Sequence, residues 1–285
     1  MSTSAFREKA MRAVFLSAAC VSVLAVLLIA LFLFTGGIPA MAKIGPLNFL
    51  FGEVWKPLNG VFGILPMILG SIYITGCALL LGTPIALLTA IYLARFCPRR
   101  LYRVLKPAVS LLAGIPSVVY GFFGLVVIVP TVRGWFGGNG YSLLSGSILL
   151  AMMILPTVIT VTEASLRAVP ETYYEAALAL GAPHERAVFF VQLPAAKSGV
   201  LAGIVLGAGR AIGETTAVAM IIGNQARMPA GLLKGLRTLT TNVFLEMGYA
   251  ADLHREALTA TAVVLFAFIL LINLLFSALK RRMTA

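Results

Sequence analysis

The sequence predicts an all-α, polytopic membrane protein with six transmembrane helices. Three observations carry that expectation. Hydrophobic residues make up 60% of the chain and charged residues 11%, with a mean hydropathy of +0.99. An ordinary soluble domain does not have that balance. Six apolar stretches reach the roughly 20 residues needed to cross a bilayer core. The basic residues are also unevenly placed. With the N-terminus inside, fourteen of the lysines and arginines fall on inner segments and seven on outer ones. That asymmetry sets membrane orientation and puts both termini on the cytoplasmic side.

In chain order, the spans are expected near 13–34, 67–94, 107–130, 143–162, 198–224 and 257–279. The first is too long, and lacks a nearby small-x-small cleavage site, for a cleaved signal peptide. Residues 1–66 read as a peripheral unit of tail, first span and a periplasmic segment from about 35, where short helices or a hairpin are expected. Residues 67–285 read as a five-helix core. The stretch GWFGGNGYS, within 131–142, predicts a tight exposed turn. The loop 225–256 is long enough to cover a vestibule, and a helix can begin within 240–260.

Between the fourth and fifth spans the chain reads EAALALGAPHERAVFFVQLP, residues 175–194. Pro170 is expected as a first helical residue, with Glu171 in the favourable first turn. Helix is predicted from Tyr173 to Leu180, on the propensity of Ala176, Ala177 and Ala179. Gly181 supplies a left-handed stop. Pro183 is expected to open a second short helix and Pro194 to break it. Helix-Gly-helix alone describes any connector; the spacing from Glu175 to Pro194 is far more specific.

The fifth span, GIVLGAGRAIGETTAVAMIIGN over 203–224, carries two charges, Arg210 and Glu214. Each costs roughly 2.5–3.5 kcal/mol at mid-membrane on insertion scales. Their i, i+4 spacing predicts a shared helix face, and Gly199, Gly203 and Gly207 form a small-xxx-small series for close packing. Two readings stand side by side: a structural ion pair locking helices, and an oxyanion pathway. The second rests on the guanidinium fork, which matches an oxyanion bidentately. Glu214 then accepts from a protonated oxyanion or tunes the arginine, which favours phosphate over sulfate. In the third span, AGIPSVVYGFFG over 113–124, Pro116 and the glycines predict a break that turns Ser117 and Tyr120 towards a polar pathway; a packing kink is the alternative.

Several classes are excluded. No GxxxxGK[ST] pattern occurs, so ATP chemistry of that kind belongs to another polypeptide. The net charge of +12 follows the topology and calls for no nucleic acid. Cys20, Cys77 and Cys97 lack CxxC pairing and read as packing residues, not as metal ligands. His184 and His254 are expected as isolated loop residues, so no catalytic site, metal or cofactor is expected.

GIPSVVYGFFGL, GRAIGETTAVAMIIGN and the segment 175–194 together resemble the phosphate ABC importer permeases, PstC-type, and the resemblance covers nearly the whole chain. FGEVWKPLNGVFGILPMILGS before the second span belongs to it too. The resemblance implies a type I ABC importer permease architecture in a bacterial inner membrane. It implies an EAA loop at Glu175, Ala176, Ala177, Gly181 and Pro194 that docks onto an ATPase. It implies Arg210 and Glu214 as pathway charges, and Thr215, Ser117 and Tyr120 are expected along the same substrate pathway. The implied partners are a PstA-like permease, two PstB-like ATPases, a periplasmic phosphate-binding protein and membrane lipid. The segment 225–256 does not follow the pattern. Alternatives are a molybdate or sulfate permease, a gradient-driven secondary transporter, or a membrane partner that senses phosphate.

Overall fold

Long apolar runs fold as long helices because backbone groups in lipid must be satisfied within the segment. The computed structural model describes residues 3–284, and the side chains of residues 3–6, 9, 276 and 279–284 are not among those described. Among the described residues, five helices are long and apolar enough to cross a membrane, and a sixth span arises if a pair bent by 70° is counted as one.

Helix α1 (Thr3–Ile44) runs well past the expected first span and includes Pro39. Its side chains from Met11 to Phe32 stand outward, as a lipid-facing helix requires. Contact with the core comes near its end. A Cβ on Gly37 would lie 2.9 Å from the Ala260 backbone, so only glycine admits that approach of α14 (Asp252–Thr284). Phe34 and Phe266 meet edge to face at 6.0 Å in the same seam. The segment after α1 folds as a short helix α2 (Pro46–Phe51) and a two-residue hairpin, β1 (Trp55–Lys56) and β2 (Val61–Phe62), paired antiparallel.

The core is built on α3 (Leu65–Ile91), extended by a wide helical turn to Phe96, and α7 (Leu143–Arg167). Gly82 and Gly146 let them close up: a Cβ on Gly146 would fall 2.7 Å from Ile74 Cδ1. Ile74, Leu149, Leu150, Met153, Ile154 and Ile221 fill the centre.

The third span differs from its expected bounds. Residues 107–114 belong to a separate amphipathic helix, α4 (Arg99–Gly114), which has no buried residue. Ile115 and Pro116 are extended, and the membrane segment restarts as α5 (Ser117–Phe123), continuing through a wide turn into α6 (Val129–Phe136). The physical reason is Pro116, which cannot donate to the helix ladder and forces the preceding residue out of the helical region. The turn at 137–142 follows, with Gly137, Gly138 and Gly140 at positive φ.

The fifth span is also divided. Helix α11 (Lys197–Gly213) ends at Glu214, and α12 (Thr216–Ile221) begins after Thr215. Between α7 and α11 lie α8 (Glu171–Ala179), α9 (His184–Ala187) and α10 (Leu193–Ala195). Helix α13 (Leu239–Glu246) precedes α14.

Candidate functional site

The two breaks lie side by side. A Cβ on Gly121 would sit 3.1 Å from Ala217 Cα and 2.5 Å from Met220 Sδ, and one on Gly124 2.9 Å from Ile221 Cγ2. Helix α5 and the turn after it therefore press Gly121 and Gly124 against Ala217, Met220 and Ile221 of α12, and each of the two helices starts just after its own break. Arg210 belongs to the last turn of α11, before the second break. It is half-buried and has no hydrogen-bond or ion-pair partner among the described residues. Gly209 and Gly213 flank it, and a Cβ at either would meet nothing within 4 Å.

The expected Arg210–Glu214 helix pair is not formed. Glu214 has extended backbone, φ −72° and ψ 126°, so the i, i+4 geometry ends one residue too early. Its Oε1 instead accepts from the Ala217 N–H at 3.1 Å, capping the start of α12. Its carbonyl accepts from Thr240 Oγ1 at 3.2 Å. Thr215 donates to the Gly213 carbonyl at 3.2 Å. Tyr120 is 4% exposed, and its hydroxyl donates to the Leu112 carbonyl at 2.9 Å, spanning the break at Pro116. The phenol thus satisfies backbone there, where the sequence suggested an open lining. Ser117 is the first residue of α5 and half-buried. Gly199, Gly203 and Gly207 do form a packing stripe, and it faces α7: Cβ atoms there would meet Ser165, Thr162 and Val158.

The polar segment folds as two short helices about a left-handed glycine. Gly181 has φ +82° and its N–H donates to the Leu178 carbonyl at 2.9 Å. Pro170 and Pro183 stand one residue earlier than expected, as N-caps, and Glu171 and His184 are the first helical residues. Pro194 lies within the one-turn helix α10, and the chain turns at Ala196 instead. Glu175, Ala176, Gly181 and Pro194 are exposed, whereas Ala177 is buried at 8%. The Arg95 guanidinium holds Glu171 at 2.8 Å, anchoring α8 to the end of α3. His184 is not isolated: it bonds Tyr174 at 2.7 Å and packs on Phe96.

Two charge clusters escaped the sequence. Glu163, 2% exposed, accepts from Tyr102 Oη at 2.7 Å, Lys106 Nζ at 2.7 Å and Arg167 Nε at 3.0 Å. The hydrogen bond to Glu163 is the main cause that pushes the Tyr102 phenol up. Glu246 accepts from Trp55 Nε1 at 2.9 Å, from Arg237, and bonds His254 Nε2 at 2.8 Å. Burial alone would raise its carboxyl; the hydrogen bonds of Trp55, His254 and Arg237 outweigh it and hold the group below the usual carboxylate value. This cluster ties the hairpin to α13 and α14, and it removes His254 from the isolated loop residues. Only the i, i+4 spacing of Glu163 and Arg167 was visible in sequence. No group of three metal-ligating side chains occurs among the described residues.

Residues 82–285 match the model of the binding-protein-dependent transport system inner membrane component. The chain is 37% identical over 246 residues to the probable ABC transporter permease protein YqgH of Bacillus subtilis, covering 83% of this chain and 80% of that protein. It is 34% identical over 265 residues to the phosphate transport system permease protein PstC of Mesorhizobium japonicum, covering 86% and 81%. Among solved structures, it superposes on a chain of the inward-facing MetNI methionine ABC transporter with TM-score 0.66 at 18% identity, over 81% of this chain and 100% of that one. A bacterial alginate ABC transporter chain gives TM-score 0.65 at 17% identity, over 97% of both. These structural likenesses concern the fold alone.

Proposed function

Because this chain belongs to the binding-protein-dependent transport system inner membrane component family, we propose that it is the PstC-type half of an ATP-driven phosphate importer. That it is a multi-pass inner-membrane ABC importer permease, and not an enzyme, follows from the family and its relatives. Phosphate as cargo is supported by the relatives named as phosphate permeases. In this reading the chain forms one side of the pathway beside a PstA-like permease. Two PstB-like ATPases dock on 171–195, and a periplasmic phosphate-binding protein delivers the anion. Both termini are cytoplasmic, on the charge asymmetry of the sequence.

One observation carries the pathway assignment: Arg210 is a half-buried cation in a membrane segment, unpaired among the described residues and flanked by unfilled space at Gly209 and Gly213. An intramembrane arginine without a counter-ion is expensive and marks a functional position. Its fork of donors suits a tetrahedral oxyanion. Thr215 and Ser117 add hydroxyls at the neighbouring helix starts. Coupling is assigned to Glu175, Ala176, Ala177, Gly181 and Pro194, four of which are exposed along the segment 171–195.

The test is uptake by the complete complex in proteoliposomes. Arg210→Gln is expected to lower phosphate uptake about a hundredfold or more, with assembly and basal ATP hydrolysis retained. Normal phosphate uptake by Arg210→Gln would refute the pathway role. Preferred uptake of molybdate or sulfate would overturn the phosphate reading while leaving the pathway role standing. ATP-independent uptake driven by an ion gradient would overturn both.

A further inference from the structure

A second cationic feature lies away from Arg210, where α3 ends and α4 begins. A cavity of about 250 Å³ is lined by Arg95, Arg99, Arg103 and Arg167, with Tyr102 and Cys97 completing its wall. At roughly 30 Å³ per water, that volume holds a phosphate group with several waters.

Three independent features leave this cavity short of negative charge. Arg95 and Arg167 are paired with Glu171 and Glu163, but Arg99 and Arg103 have no ion-pair partner among the described residues. Glu163 is already shared between Lys106 and Arg167. Second, Arg95 Nε is buried without a hydrogen-bond partner, although the Arg95 side chain is only 14% exposed. Third, α4 starts against its own dipole. Its N-cap is Pro98, with no side-chain cap, and its first turn holds Arg99 and Arg100 and no acid. Helix starts favour negative charge, so cations there raise the local positive potential.

We propose that this cavity binds an anionic phosphate group, as borne by an anionic phospholipid headgroup at the cytoplasmic membrane surface. Basic pockets between membrane helices at that level suit phospholipid headgroups. Arg99 and Arg103 are one turn apart on α4, so two forks converge on one anion. Helix α4 is amphipathic and buries no residue, which suits a helix lying along the interface. Arg95 lines the cavity and also grips Glu171 at the start of α8, so the site abuts the anchor of the polar loop. Free phosphate shares the same chemistry, and the experiment separates the two sources.

The full-length chain, with the partner subunits that copurify, is placed in three nanodisc preparations. These are phosphatidylcholine alone, phosphatidylcholine with phosphatidylglycerol, and phosphatidylcholine with inorganic phosphate in the buffer. Alkylation of Cys97, resolved by peptide mass spectrometry, reads occupancy of the cavity. Slower alkylation with phosphatidylglycerol assigns the site to a lipid headgroup; slowing only with inorganic phosphate assigns it to the soluble anion. The double variant Arg99→Gln/Arg103→Gln is expected to abolish that protection. It should also reduce phosphatidylglycerol retained in native mass spectrometry roughly thirtyfold. Arg100, a neighbouring exposed charge outside the lining, is the control: Arg100→Gln should change neither. Equal alkylation in all three preparations would overturn the proposal. So would a loss of lipid with Arg100→Gln as large as with the double variant, since that is diffuse surface charge.

Discussion

Replacing Glu163 by glutamine isolates the charge of the most buried carboxylate in the chain. The side chain is 2% exposed and carries three donors, Tyr102, Lys106 and Arg167. Removing one member of a buried ion pair typically costs about 3–5 kcal/mol. Two features lower that figure here. Lys106 and Arg167 have side chains 27% and 46% exposed, so both can rehydrate. The amide oxygen also keeps an acceptor for Tyr102 and Arg167, while its NH₂ opposes Lys106 donor to donor. The expected loss is therefore about 2 kcal/mol. Lys106→Met alone should cost about 1 kcal/mol, and the double replacement about 2 rather than their sum, giving a coupling near 1 kcal/mol. Equilibrium unfolding in detergent micelles, followed by far-ultraviolet circular dichroism, measures all three. Additivity within about 0.5 kcal/mol would refute the idea that Lys106 and Glu163 act as a pair.

Other expected outcomes follow from single contacts. A Cβ at Gly199 would fall 2.0 Å from Ser165 Oγ and 2.3 Å from its Cβ. Gly199→Ala should therefore cost about 1–3 kcal/mol, and Ser165→Gly should restore most of it in the same unfolding assay. Gly181 has open space around it but φ +82°, so the strain there is backbone alone. Gly181→Asn should keep ATP-coupled uptake, while Gly181→Val should lose it with membrane insertion intact. Glu246 has its carboxyl held below its ordinary value of 4.5, so its contribution is complete above that value and disappears as pH falls through the lower, folded value. Protease resistance of the segment 53–64 should fall over that acid window, and Glu246→Gln should remove the pH dependence while lowering resistance throughout.

What was legible in the sequence was burial and length. The cores of the spans in α3, α7 and α14 follow from apolar runs, and the left-handed stop at Gly181 from its place between two short helical patterns. What was not legible was where one apolar run holds two elements. Residues 107–130 read as a single span because the apolar face of α4 joins the apolar start of α5 without a change in composition. Pro116 signalled a kink, but the change to a separate helix depends on what packs around it. The charge clusters were hidden for another reason. Tyr102 and Lys106 lie 61 and 57 residues from Glu163, and Trp55 lies 191 from Glu246. Only the fold brings them together, and Glu163 fell one residue beyond the expected end of its span.

The division of the fifth span changes the chemistry that Arg210 and Glu214 can share. As an i, i+4 pair, each would neutralise the other, and the carboxylate would be available to a protonated anion. With α11 ending at Gly213, the carboxylate caps Ala217 and its carbonyl receives Thr240, so Glu214 satisfies backbone at a break in membrane depth. Tyr120 does the same for Leu112 at the other break. Such breaks persist in a membrane only where protein groups or water replace the lost hydrogen bonds. The two residues that looked like pathway lining thus hold the halves of broken helices, and the unneutralised charge falls to Arg210. In the pathway proposed for this chain, Arg210 offers an oxyanion one guanidinium, while the Glu214 oxygen that caps Ala217 is already engaged. On that proposal, discrimination between phosphate and sulfate draws on groups other than an Arg210–Glu214 pair, because the two side chains do not meet.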